Sequence, residues 1–176
     1  MKKLLSLIVA VLLLLCSVLP AFAEKSETDW ETVEYVYSLL CEENREALEE
    51  LFPRDGCYDD VISVGVYLYC YEELPENYMT KKEARRHGWF SGALSRVLPG
   101  YAIGGDWFGN YAGILPKKKG ITYTECDLDT IGEKSRGSKR IVFDNKGRIY
   151  YTEDHYETFT LLYEPGMNEE VLKNAS

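Results

Sequence analysis

The chain has 176 residues, 28% of them charged and 45% hydrophobic, and a net charge of −9. These proportions suit one compact domain and exclude a low-complexity or repetitive chain. The negative total argues at first sight against a nucleic-acid partner, but residues Glu24 to Glu76 carry 16 acidic and 3 basic side chains, whereas Asn77 to Tyr163 carry 14 basic and 10 acidic ones. A half able to hold phosphate is therefore joined to an acidic half.

Residues 1–23 read as a secretory signal. Met1-Lys2-Lys3 is a positive start, Leu4 to Val18 is an apolar run, and Ala21-Phe22-Ala23 places small residues where signal peptidase reads. The competing reading, a lipoprotein signal at Cys16, is opposed by the bulk of Leu15, and the apolar run is shorter than a typical spanning helix. Cleavage after Ala23 predicts a secreted, extracellular product with no further membrane segment.

From Thr28 the spacing predicts a long helix carrying Trp30, Val33, Tyr37, Leu40, Cys41, Leu48 and Leu51, opened by a Thr28-x-x-Glu31 capping box and closed by Pro53 and Gly56. A second helix follows, capped by Asp59 or Asp60 and running toward Leu74-Pro75, so that the pair forms a helical hairpin. Cys41, Cys57, Cys70 and Cys126 survive signal removal. In an exported chain without a CxxC pair they read as disulfide candidates, with three connectivities open. Equal distance from a turn at residues 55 and 56 favours Cys41 with Cys70, leaving Cys57 and Cys126 as a second bridge. The alternative is free thiols packed as small hydrophobes, above all Cys126.

Thr80-x-x-Glu83 is a second capping box, opening a short helix that ends at His87-Gly88 with Lys81 in its first turn. Another short helix is expected to include Ala93 to Val97 before Pro99-Gly100. Beyond Pro99-Gly100 the pattern turns to strand: Ile121, Tyr123, Glu125 and Asp127 alternate with Thr122, Thr124, Cys126 and Leu128. Arg140 to Phe143 and Arg148 to Tyr151 flank a hairpin turn at Asp144-Asn145-Lys146-Gly147, and Tyr156 to Tyr163 is the next strand. Helices first and a meander afterwards predict an α+β fold, N-terminal helices packed on a twisted antiparallel β-sheet. Pro165-Gly166 ends it, and Met167 to Ser176 read as a loosely held tail.

Two histidines bound any histidine chemistry. His87, in the last turn of a helix, reads as a cation meeting the helix dipole. His155 lies in a turn between strands, where taken alone a surface histidine is the commoner reading. Glu125 alone could be a solvated strand residue. Arg136-Gly137-Ser138-Lys139-Arg140 is either a solvated edge or a phosphate clamp, since arginine's fork of donors matches phosphate oxygens.

Several stretches change the weight of these readings together. They are Leu74-Pro-Glu-Asn-Tyr-Met-Thr-Lys-Lys-Glu-Ala84, Gly88-Trp89, Ile103-Gly-Gly-Asp-Trp-Phe108, Gly113-Ile-Leu-Pro116, Arg136-Gly-Ser-Lys-Arg-Ile141 and Thr152-Glu-Asp-His-Tyr-Glu-Thr-Phe-Thr160. From about Tyr58 to Leu162 the chain resembles the barnase family, the small secreted guanyl-preferring ribonucleases of bacilli. The resemblance implies Glu125 as general base, His155 as general acid, Lys81, Arg136 and Arg140 as cations on the phosphate, and Tyr156 against the substrate base. It places Asp106 and Asn110 among the residues that shape the site, with Phe108, Gly109, Asn110 and Tyr111 in the base-binding loop. It implies RNA as substrate, no metal and no cofactor, and a barstar-like inhibitor in the producing cell; a monomer is expected.

The family has an arginine and a guanine-reading glutamate where this chain has Tyr111 and Ala112, which leaves the base preference open. The division expected is a signal at 1–23, an acidic helical extension at 24–57, a ribonuclease domain at 58–163 and a tail at 164–176. The reading from a different class is a secreted RNA- or protein-binding module that kept the fold and lost turnover.

Overall fold

The computed structural model describes residues 29–168. The signal segment, Thr28 of the first capping box and residues 169–176 of the tail lie outside the described residues. The order is α1 (Trp30–Ser38), a 3-10 turn (Glu42–Asn44), α2 (Arg45–Leu51), α3 (Val61–Tyr71), β1 (Tyr78–Met79), α4 (Lys81–Arg86), a second 3-10 turn (Leu94–Arg96), then β2 (Ala102–Phe108), β3 (Tyr123–Asp127), β4 (Arg140–Asp144), β5 (Ile149–Thr152) and β6 (Thr160–Tyr163).

The long first helix is two. After Ser38 the chain leaves the helical path, and Cys41 is fully extended at φ −145° and ψ 161°. The Asn44 amide donates to the carbonyl of Leu39, satisfying an acceptor that the interrupted helix leaves open. This break also removes the basis for pairing Cys41 with Cys70, because Cys41 no longer sits on a helix face. All four cysteines are free: Cys41, Cys70 and Cys126 are buried, while Cys57 is exposed and its thiol donates to the carbonyl of Gly100 at 3.3 Å. Burial pushes the Cys70 thiol up to about 12.

The choice of cap for α3 falls on Asp60, whose carboxylate accepts from the amides of Ile62 and Ser63. Asp59 instead accepts from the amides of Thr130 and Ile131 across the chain. The helix is buried nearly all round and is approached closely by α1: a Cβ on Gly65 would stand 1.6 Å from the Tyr37 hydroxyl, which donates to the carbonyl of Val61. Arg45 donates to the carbonyls of Tyr69 and Cys70, the unsatisfied acceptors at the end of α3. The chain beyond β6 is not wholly loose, since buried Asn168 donates to the carbonyls of Tyr37 and Leu40.

The sheet runs β1 to β6 in sequence order. It is antiparallel except at one edge, where β1 pairs parallel with β2 through Tyr78↔Ala102 and Met79↔Ile103. That departs from the all-antiparallel expectation; a parallel neighbour needs a crossover, which α4 and the second 3-10 turn supply. β6 begins at Thr160 rather than Tyr156. The four preceding residues are held in a turn, because the Asp154 carboxylate accepts from the amides of Glu157 and Thr158, and His155 and Tyr156 both have positive φ.

The helices cover one face of this sheet. Val33, Leu40, Leu48, Val64 and Leu68 pack with Cys126, Ile141, Ile149 and Tyr151, and Trp30 stands edge-on to Tyr151 at 5.1 Å. Residues 30–52 thus share their core with the sheet on one face, while on the opposite face Leu115, Tyr156 and Phe159 pack with Tyr123, Val142 and Tyr150. Strand alternation puts Asp106, Phe108, Tyr123, Glu125, Asp127, Arg140 and Val142 on that opposite face, since Asp106 pairs with Glu125, Glu125 with Val142 and Asp127 with Arg140.

Candidate active site

The site grows from the middle of β3. Glu125 is only 7% exposed, yet both of its oxygens are engaged by polar hydrogens. The Lys81 ammonium lies 2.5 Å from Oε1, and the Tyr156 hydroxyl donates to Oε2. Lys81 reaches the sheet because the Thr80 capping box fixes the start of α4, and its own amide donates to Asp106 Oδ2 at 2.9 Å. Asp106 is therefore a bracket: it holds the main chain of Lys81 while its carboxylate stays 3.9 Å from the ammonium. Burial, and then the bond to Glu125, raise the Tyr156 phenol above its ordinary range, so it remains a donor at neutral pH.

Two residues along the same face, Asp127 is 1% exposed and joins the two expected phosphate arginines. Arg136 donates to it bidentately, Nε to Oδ2 at 2.6 Å and Nη2 to Oδ1 at 2.7 Å. Arg140 Nε lies 2.8 Å from Oδ1 in an alignment that is an ion pair without a hydrogen bond. The two arginines are not equivalent. Arg140 is 1% exposed and gives its remaining nitrogens to the carbonyls of Arg136, Gly137 and Lys139, so it supplies charge and fixes the loop. Arg136 retains some access to solvent and can face a ligand.

His155 is exposed at the rim, with its ring 4.7 Å from that of Tyr156. Its turn is built by Asp154, which accepts from the hydroxyls of Thr152 and Thr158 as well as the two amides. Those bonds hold the Asp154 carboxyl down at about 2. His87 is the C-cap residue of α4, its amide donating to the carbonyl of Ala84.

The base-loop residues form the other wall. Asn110 is buried at positive φ, and its side chain both donates to and accepts from Leu115, closing the loop on itself. A cavity of about 280 Å³ lies between this loop and Tyr156, walled by Phe108, Tyr156 and Phe159. Phe108 and Tyr156 are 5.1 Å apart between ring centroids. Tyr111 is 85% exposed and Trp107 62% exposed, their rings edge to face. Ala112 is also exposed, and no carboxylate lines the cavity among the described residues.

Sequence reasoning missed Asp127 and Asp154 as organisers. The signal for Asp127 was its position two residues from Glu125 on one strand face, within reach of two arginines. For Asp154 it was the Asp-x-x-x-Thr spacing of a side-chain-closed turn. Among the described residues no cluster of histidine, cysteine, aspartate and glutamate is arranged to hold a metal ion.

An α+β protein with a buried carboxylate, a lysine, a rim histidine and an aspartate-locked arginine pair on one side of its sheet is equipped for proton transfer beside a bound anion. The chain belongs to the ribonuclease family, whose model matches residues 65–163. It is 43% identical over 99 residues to a ribonuclease of Bacillus intermedius, covering 55% of this chain and 60% of that protein. It is 43% identical over 98 residues to a ribonuclease of Heyndrickxia coagulans, covering 54% of this chain and 89% of the relative. The guanyl-specific ribonuclease St of Saccharopolyspora erythraea is 41% identical over 61 residues, 35% of this chain and 60% of that one. The chain thus spans about three fifths of the length of the Bacillus relative. Among solved structures, ribonuclease Sa2 with guanosine-2'-cyclophosphate matches at 38% identity over 33% of this chain and 61% of that one, with a TM-score of 0.29.

Proposed function

We propose that this protein is a secreted endoribonuclease that cleaves single-stranded RNA without a metal or cofactor. The observation that carries the reading is the Glu125 carboxylate held between Lys81 and Tyr156, with the Asp127-bound arginines beside it on the same face. Glu125 takes the proton of the substrate's 2′ hydroxyl as that oxygen attacks phosphorus. His155 protonates the departing 5′ oxygen, giving a 2′,3′-cyclic phosphate. Water then opens the cyclic ester with the two roles reversed. Lys81 and Arg136 stabilise charge on the phosphoryl oxygens, with Arg140 behind them. Because the attacking group is the 2′ hydroxyl, DNA is not a substrate.

The aromatic cavity beside Tyr156 is the place for the base preceding the cut. Relatives named as guanyl-specific favour guanine there, but Tyr111 and Ala112 offer no carboxylate to read its donors, so relaxed preference follows. Residues 58–163 form the ribonuclease unit, and 24–57 act as a stabilising helical cap, as the core that residues 30–52 share with the sheet supports. An exported monomer starting at Glu24 and a barstar-like inhibitor in the producing cell complete the reading. Mixed-sequence RNA incubated with the mature protein in EDTA, with fragment ends mapped, tests it: cyclic phosphate ends are expected. RNA retained without such ends would favour the binding-module reading.

A further inference from the structure

The base loop has two sides, and only one of them faces Tyr156. On the other, a groove of about 400 Å³ runs between Trp107 and the loop carrying Lys117, Lys118 and Lys119. Residues 107–110 wall both spaces, so the groove begins where the aromatic cavity ends. From Trp107 to Thr124 the chain has these three lysines and no acidic residue, in a protein whose net charge is −9. All three are exposed, and among the described residues none of them is ion-paired; Lys117 makes only a 3.4 Å contact with the carbonyl of Tyr111. Unpaired, closely spaced cations are costly to the fold by mutual repulsion and are relieved by a polyanion.

We infer that this lysine groove is a second RNA subsite, holding the phosphates of nucleotides on the 5′ side of the cut, with Trp107 as a platform for one of their bases. The inference rests on the ribonuclease reading. The direction follows from β3: along one face the order is Asp127 with its arginines, then Glu125, then Tyr123, and Tyr123 borders the groove. A strand whose scissile phosphate lies at Glu125 and Arg136, and whose preceding base enters the aromatic cavity, meets the groove with its upstream nucleotides. Exposed tryptophan beside unpaired lysines is the composition that holds single strands with little sequence preference.

The test compares the full mature chain with the triple variant Lys117→Gln, Lys118→Gln, Lys119→Gln on three substrates: a dinucleotide pool, and the same dinucleotides extended by four residues at the 5′ or the 3′ end. The variant is expected to lose about tenfold in kcat/KM on the 5′-extended substrate alone, and to flatten its salt dependence by about two phosphate equivalents. Anisotropy with a 2′-deoxy hexanucleotide, which cannot be cut, reports binding whether or not the chain turns over. Equal kcat/KM ratios for all three substrates together with unchanged binding would overturn the subsite. A loss confined to the 3′-extended substrate would overturn the direction assigned to it. Absence of cleavage on every substrate with lysine-dependent binding would instead remove the ribonuclease reading, and the 5′ assignment with it, while leaving the lysine groove as a site for single strands.

Discussion

Replacing Asp127 by asparagine tests how the arginine pair is held. The carboxylate meets three guanidinium nitrogens within 2.8 Å: Arg136 Nε on Oδ2, and Arg136 Nη2 and Arg140 Nε on Oδ1. With the asparagine oxygen kept at the Oδ1 position, two of these become neutral contacts and the third becomes donor against donor. Both arginines then lack a counter-ion at a place where Arg140 is 1% exposed. Removing one partner of a buried pair costs about 3 to 5 kcal/mol, and the carbonyls that still bind Arg140 point to the lower end. Urea unfolding followed by tryptophan fluorescence should show the midpoint falling by about 1 to 3 M. The kcat/KM for RNA should fall as well, because Arg136 loses its fixed orientation. An unchanged midpoint would refute the argument. So would a cycle with Arg136→Gln in which the two losses simply add, because contacting charges must couple.

Other consequences are accessible to the same material. Tyr156→Phe removes the hydroxyl that donates to Glu125 and should cut kcat/KM by about tenfold to a hundredfold with little change in the melting temperature; steady-state kinetics beside a thermal melt checks both. Asp154 is a depressed carboxyl, so its contribution to stability is complete above the unfolded pKa of about 3.9 and is lost as pH falls toward its folded value of about 2. Asp154→Asn should therefore make stability less sensitive to pH in that window, as acid-unfolding curves would show, and should lower activity by loosening the His155 turn. Asn110→Ala leaves the amide and carbonyl of Leu115 without their partner and should cost about 1 to 3 kcal/mol in urea. Hydrogen exchange localised to residues 109–115 would report the loop.

Those elements that announce themselves locally were legible. The apolar run behind Asp60 gave α3, Thr80 and Glu83 gave α4, and Asp144 to Gly147 gave the β4–β5 hairpin. The break after Ser38 was hidden because apolar residues continue at threes and fours straight through it, and only tertiary packing decides that Cys41 is extended. A two-residue strand such as β1 has no period to read. The delayed start of β6 depends on the side chain of Asp154 capturing amides that a strand would otherwise have used. At the site, Lys81 and Glu125 are 44 residues apart, and nothing local couples them. The family resemblance assigns both to one site without pairing them, and nothing local marks Asp127 as an organiser, because Arg136, which it binds bidentately, is nine residues away.

On the proposed mechanism Glu125 and His155 divide the proton transfers between them, and the pH dependence of kcat/KM reports that division. A base that must be unprotonated and an acid that must be protonated give a bell-shaped profile. Glu125→Gln is expected to leave a low residual rate without the acidic limb, and His155→Ala one without the alkaline limb. Retention of both limbs in either variant, or cleavage at the wild-type rate, would contradict the assignment.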